Sequence, residues 1–504
     1  MTSLLPRHDG PHLRARDTVP TTADVDDLDG LLLLLPIDGE PGTRLPDARR
    51  WAALQAQGKP GHGTLRATTL GPAGHCVGAV AWCREDASAF EVLELAGKLV
   101  KQALTLRPRA RRIAVMVPGG PAARRLSWQE ALCAAACAQA FALPSAKRPT
   151  PGDPAPARLE QVLVVQPERS LDLQRCQVTA DAGNLVRHLT ALPPNVLDVA
   201  GYRRALATLA RRHGLRLRWH DETRLRRLGA GAFLAVSQGN AARTAGIAQL
   251  SWRPRGKPAA KPDVTLVGKG ILFDTGGTNL KPHRSMLDMH TDMAGSAVAV
   301  ASLVALARLN SPLAADAWLA LTENNIGPRA YRPQDVVTAA NGTTIQVIHT
   351  DAEGRMVLAD TLALAARDKP RLIIDYATLT GACVYALTER YSGVFSNREA
   401  LLPRLVAAGA DSGERVWGFP LPADFDSDLD SPVADVAQCA VDGKGDHILA
   451  ARLLGRFVPE AIPWVHVDLS SATRRGGLAH VPTEITGFGV RFTLAALLDH
   501  KVPA

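Results

Sequence analysis

The sequence predicts an α/β protein in two parts: a smaller N-terminal α/β domain, and a larger C-terminal α/β domain with a central mixed sheet flanked by helices. Three observations predict it. Short apolar, β-branched runs alternate with longer stretches of helical periodicity along most of the chain. At 504 residues, 46% of them hydrophobic, the chain exceeds what one core ordinarily organises. Four strand-like runs in the C-terminal part each end in a polar or glycine-bearing run, where open α/β sheets put their sites.

The elements follow in order. Residues 1 to about 28 are polar and aperiodic, and read as a loose lead-in. Gly30–Pro36 reads as a buried strand. Residues 89–104 carry Phe90, Val92, Leu93, Leu95, Ala96, Leu99, Val100 and Leu104 at helical spacing. Residues 112–117 form a strand, and 127–143 a helix with Ser127 as N-cap and Glu130 three residues on. The proline-rich stretch 147–158 is a loop, and 161–166 another strand. Residues 1–169 thus make an α/β domain without an obvious reaction centre, expected to serve assembly or regulation. Residues 170–194, with a helix over 180–192 stopped by Pro193-Pro194, are the linker.

Residues 195–504 make the second domain. A helix covers 201–213. A strand over 263–267 is expected to deliver Gly268-Lys269-Gly270 at its end, and a helix follows over 294–309. Strands over 315–321, 345–348 and 372–377 feed Thr322-Glu323-Asn324-Asn325, His349 with Asp351, and Thr378-Leu379-Thr380-Gly381. A helix over 356–366, a strand over 464–469 and a helix over 494–500 complete it.

The 58 basic and 49 acidic residues leave a net charge of +9. The arginines are scattered, which favours solvated helix faces over a nucleic-acid surface; a DNA-binding or architectural role is the second-ranked alternative. Seven cysteines without a CxxC pair fit a reducing compartment. The apolar run 31–35 stops at Pro36, too short to span a bilayer, and the first residues lack a signal-peptide pattern. A cytoplasmic protein with no membrane partner is expected.

The chemistry concentrates between residues 267 and 355. Asp274, Asp292, Asp351 and Glu353 lie in glycine-rich runs with Lys269, Lys281 and Arg355. Gathered without cations, four carboxylates would repel and take up protons; two divalent ions would cancel their charge. Gly276-Gly277 between Asp274 and Lys281 permits a sharp turn and close backbone approach. Each piece has a plainer reading. Residues 350–353 also spell a capping box for the following helix, Asp274-Thr275-Gly276-Gly277 is also a turn, and Gly268-Lys269-Gly270 is also a loop lysine.

Taken together, 267–277, Lys281-Pro282, 289–295, Tyr331–Val336, 350–355 and 377–382 resemble the leucine (cytosol) aminopeptidase family. The resemblance covers about residues 180 to 490. It implies a two-metal aminopeptidase that releases N-terminal residues of peptides, with a leucine-like preference. Lys269, Asp274, Asp292, Asp351 and Glu353 would hold two divalent ions (Zn²⁺ or Mn²⁺), Asp274 and Glu353 bridging them. Lys281 would stabilise the gem-diolate oxygen, and Arg355 would hold a bicarbonate acting as general base. Met289, Thr378 and Gly381 would line the pocket for the first side chain. The family assembles as a homohexamer. Four departures stand out: His349 for asparagine, Met356 for leucine, Ala294 for glycine, and Glu323-Asn324-Asn325. His349 reads as an extra ligand, a supporting donor or a tolerated polar side chain, with the last preferred.

Overall fold

The computed structural model describes residues 3–6, 10–40, 45–72, 74–148, 158–256 and 261–503. Most of the expected loop at 147–158 lies outside the described residues. Two separate sheets carry the fold. The first has six strands, in the order His12–Arg16, Gln161–Val165, Arg112–Met116, Gly30–Pro36, Cys76–Cys83, Leu65–Leu70. All its pairs are parallel except the last. Leu31 to Leu35 are fully buried because helices cover both faces: Leu32 and Leu34 pack with Ala89–Leu106 and Ala122–Gln139, while Leu31, Leu33 and Leu35 pack with Ala48–Gln55.

The second sheet has eight strands, ordered Val416–Gly418, Ser392–Ser396, Trp464–Asp468, Ile373–Ala377, Val264–Asp274, Ala315–Asn324, Gly246–Trp252, Arg216–Asp221. Its four central strands run parallel, and antiparallel strands flank them, so the expected mixed sheet is present. One face packs against Ala294–Arg308, Val199–His213 and the C-terminal helix. The other packs against Glu353–Ala366, Gly231–Ser237 and Asp446–Gly455. The helical stretch His283–Arg308 is long and apolar enough to cross a membrane, and most of it is buried inside this fold. All seven cysteines are free thiols.

Several expectations are corrected. The lead-in holds a strand, His12–Arg16, which pairs with Gln161–Val165 at the sheet edge. Its side chains are mostly exposed, so it needs no apolar run to announce it. The helix expected from Ser127 starts at Ala122, after Pro121; residues 122–126 are good helix formers, and the Ser127 hydroxyl donates to the Arg124 carbonyl at 3.1 Å. The helix expected from 180 starts at Leu173, where the Asp172 side chain accepts from the Arg175 N–H. The 345–348 strand is reduced to Thr344–Gln346, part of a separate three-stranded sheet with Val336–Thr338 and Val436–Ala437.

The Leu173–Thr190 helix lies between the two sheets' layers. Its Arg187 is buried and donates to the Ala138 carbonyl (3.1 Å), Asn184 Oδ1 (2.6 Å) and Thr483 Oγ1 (3.0 and 3.1 Å). Gln139 reaches the His480 carbonyl across the same junction.

Candidate metal centre

Lys269 sits inside a strand, not at its end. Val264–Asp274 runs unbroken through Gly268-Lys269-Gly270, with Lys269 opposite Ala320. The alternation of a strand explains the motif. A Cβ on Gly268 would lie 2.5 Å from Ser296 Cα, and one on Gly270 3.1 Å from Ser296 Cβ, so both glycines admit the Ala294–Arg308 helix. Lys269 projects to the opposite face, where a Cβ on Gly354 would come within 2.7 Å of its Cε and Nζ. The two helices thus meet the strand at residues that make room.

The strand ends at Asp274 in a tight turn. The Gly276 N–H donates to Asp274 Oδ1 at 2.8 Å, and both Gly276 and Gly277 have positive φ, +86° and +66°. A side chain on Gly276 would strike the Asn279 carbonyl at 2.4 Å. The turn returns Lys281 beside the strand end, its N–H bonded to the Thr275 carbonyl. Thr350 clamps the second ligand run onto this turn: its hydroxyl donates to the Gly276 carbonyl (2.6 Å) and accepts the Asn279 N–H (2.8 Å). The capping-box reading therefore falls. The helix Glu353–Ala366 has Ala352 as its N-cap, with no side-chain cap.

Within this frame the charged groups converge. Lys269 Nζ lies 2.8 Å from both Asp292 and Glu353, and donates to the Thr378 carbonyl at 2.9 Å. Lys281 Nζ lies 2.9 Å from Asp274 and 2.5 Å from Asp351. Carboxylate oxygens of Asp274, Asp351 and Glu353 lie within 4.8 Å of one another. Lys269, Asp274, Asp292, Glu353 and Arg355 are buried, and Asp351 is half-buried. Burial, reinforced by the neighbouring carboxylates, pushes Asp292, Asp351 and Glu353 above the ordinary carboxylate range despite the lysines. Burial acts against the charge on both lysines, but the surrounding carboxylates outweigh it and hold them above the ordinary lysine value.

The donor set fits divalent cations. Two ammonium groups offset only half of the four carboxylate charges. Asp292 Oδ2 and Glu353 Oε2 are buried without a hydrogen-bond partner, a costly state that a cation would relieve. Hard oxygen donors with one amine suit Mn²⁺ or Zn²⁺.

All ten residues singled out from the sequence line one cavity of about 630 Å³: Lys269, Asp274, Lys281, Met289, Asp292, Asp351, Glu353, Arg355, Thr378 and Gly381. Thr378 also has a second contact, donating its hydroxyl to Asp292 Oδ1 at 2.6 Å. His349 Nδ1 accepts the Asp351 N–H at 3.2 Å, and burial with the charges of Lys281 and Arg355 lowers its basicity.

Four supporting residues escaped the sequence reading of the site. Asn324, at a bulge in the neighbouring strand, donates to Asp274 Oδ1 (2.8 Å) and to the Thr350 carbonyl (3.0 Å). Tyr331 donates its hydroxyl to the same carbonyl at 2.7 Å. Gln438, fully buried, accepts the Ile348 and His349 N–H groups and donates to the Ala352 carbonyl. Asp446 forms a two-point ion pair with Arg355, at 2.9 and 2.8 Å. Asn324 and Tyr331 stand inside motif runs and could have been weighed. Gln438 and Asp446 carry no local signal.

Fold and donor set together define a class: an α/β protein with a candidate cation site of carboxylates and lysine, built beside the ends of parallel strands. The sequence profile described as "Cytosol aminopeptidase family, catalytic domain" matches residues 184–494, and the chain belongs to that family. A probable cytosol aminopeptidase of Corynebacterium diphtheriae is 40% identical over 317 residues, which is 62% of this chain and 62% of that protein. The chain thus matches less than two thirds of that relative's length. One of Methylobacterium radiotolerans is 37% identical over 357 residues, 70% of each chain. Among solved structures, the bottromycin maturation enzyme BotP in complex with Mn is 30% identical, with a TM-score of 0.79 over 94% of this chain and 100% of that one. The leucyl aminopeptidase of Leishmania major in complex with actinonin, 23% identical, shares the fold with a TM-score of 0.81 over 97% of this chain and 95% of its own.

Proposed function

We propose that this chain is a two-metal aminopeptidase that removes the N-terminal residue of peptides, with leucine-like residues preferred. The observation that carries the reading is the pair of orphaned, buried carboxylate oxygens on Asp292 and Glu353, within a cluster that gathers every expected ligand. Lys269, Asp274, Asp292, Asp351 and Glu353 would hold two divalent ions, Zn²⁺ or Mn²⁺, whose positive charge would turn Lys269, charged in the ion-free cluster, into the neutral amine that can ligate. When bound, such ions supply Lewis acidity at a carbonyl and make a water more acidic.

The chain's own groups have separable tasks. Lys281, kept charged by the acidic surroundings, donates to the oxyanion that develops as the scissile carbonyl becomes tetrahedral. Thr378 fixes the Asp292 carboxylate through its hydroxyl, and lines the pocket for the first side chain with Met289 and Gly381. Arg355 provides an anion seat at the cavity wall, where the family resemblance implies bicarbonate. Residues 1–169 serve assembly, residues 170–194 join them to the catalytic domain 195–504, and the protein works in the cytoplasm as a homohexamer.

The test uses purified protein and a panel of aminoacyl reporter substrates with Mn²⁺, Zn²⁺ or chelator. Chelation is expected to abolish release, and metal to restore it. Glu353→Gln and Asp274→Asn are expected to lose bound metal and activity together while keeping wild-type circular dichroism. Full activity in either variant would sink the reading.

A further inference from the structure

Arg355 is nearly inaccessible, and its outward fork is already occupied. Nη1 donates to Asp446 Oδ1 at 2.9 Å and to the Gln438 carbonyl at 3.2 Å, and Nη2 donates to Asp446 Oδ2 at 2.8 Å. The end of a guanidinium, Nη1 with Nη2, serves one planar oxyanion at a time, while the Nε of Arg355 is buried and holds no partner. Here that oxyanion is a side chain of the same polypeptide. Carboxylate and bicarbonate present the same planar O–C–O edge, so they compete for one seat.

The placement of Asp446 is built, not incidental. It is the first residue of the helix Asp446–Gly455, entered through Gly443 and Gly445, both with positive φ (+67° and +60°). Those turns bring a carboxylate, at the helix end that favours negative charge, into the wall of the cavity that holds Asp351 and Glu353. Its side chain keeps 23% of its surface exposed while Arg355 keeps 3%, so the carboxylate is the solvent-facing partner of the pair. An ionised carboxylate has about four acceptor sites, and the pair with Arg355 uses two.

We infer that Asp446 fills the anion seat of Arg355 as a positioning carboxylate, so that this chain works without exogenous bicarbonate. The activity arm of the test rests on the aminopeptidase reading above; the binding arm does not. Binding is read from line broadening of ¹³C-bicarbonate by the full chain, with and without Mn²⁺, in carbonate-stripped buffer. Activity is read as kcat and KM on an aminoacyl reporter, with and without bicarbonate. Wild type is expected to neither bind bicarbonate nor respond to it. Asp446→Ser opens the seat: it is expected to bind bicarbonate saturably, to lose roughly a hundredfold in kcat with KM little changed, and to regain kcat on adding bicarbonate. A merely structural Asp446 would give no such rescue. Saturable bicarbonate binding by wild type overturns the inference, as does an Asp446→Ser variant that keeps kcat in stripped buffer. Should Asp446→Ser fail to fold, Asp446→Asn and the wild-type binding arm decide. A wild type that is inactive with every metal refutes the proposed function, while the binding arm still decides the role of Asp446.

Discussion

At the residue scale, the centre depends on where a side chain is missing. Gly354 sits against the Lys269 side chain, and a methyl group there would crowd Cε and Nζ at 2.7 Å. The far end of a lysine can swing aside, so the fold has a way to relieve the clash. The swing would carry the amine off Asp292 and Glu353. Gly354→Ala is therefore expected to keep its melting temperature within a few degrees of wild type, yet to bind Mn²⁺ roughly ten- to a hundredfold more weakly, as measured by metal titration. The same methyl on Gly295 would meet the Tyr376 carbonyl at 2.1 Å, where backbone faces backbone and nothing can swing. The two glycines are alike in sequence and opposite in what they protect.

At the element scale, the strand Val264–Asp274 and its neighbour Ala315–Asn324 act as a pair. The bulge between Thr322 and Asn324 turns the Asn324 amide toward Asp274 and the Thr350 carbonyl, linking two ligand runs. Asn324→Ala is expected to reduce metal affinity by roughly ten- to a hundredfold with the helix content unchanged, since such supporting bonds orient ligands without touching the ion. These elements also show what could be read from the sequence. Asp274-Thr275-Gly276-Gly277 announced its turn, because two successive positive φ values leave glycine as the natural occupant. Gly268-Lys269-Gly270 misled, because glycines that admit a packed helix look like glycines that end a strand. Asp351 and Glu353 were legible as candidate ligands through their motif, but the bond that seats them, Thr350 to the Gly276 carbonyl, joins residues far apart in the chain. Asp446 was invisible for the same reason: it meets Arg355 across 91 positions, and no local pattern marks it.

At the scale of the whole molecule, one buried acid ties folding to pH. Asp360 is fully buried on the helix Glu353–Ala366, and accepts the Phe233 and Ala340 N–H groups at 2.7 Å each. Burial, only partly offset by those bonds, pushes it up to about 7. The folded state therefore holds this proton more tightly than the unfolded chain does. Its contribution to stability is fully present below the ordinary aspartate value of 3.8, and is lost as pH rises through about 7. Asp360→Asn is expected to remove that trend: between those values, wild type should lose stability relative to the variant by up to about 1.4 kcal/mol per pH unit. Denaturant titrations of both proteins across the window, with metal present, check it. Parallel pH profiles would contradict the assignment.

The recognisable catalytic region begins at residue 184, inside the helix that carries Arg187. That guanidinium takes one acceptor from Ala138, in the N-terminal layer, and another from Thr483, close to the far end of the chain. Burial alone draws its proton affinity down to about 10. A fragment trimmed to the homologous boundaries would carry this cation inside with one of its three acceptors, the Ala138 carbonyl, gone, beside an uncovered helix flank. The unit of inheritance and the unit that can stand alone in water are therefore different lengths of the same polypeptide.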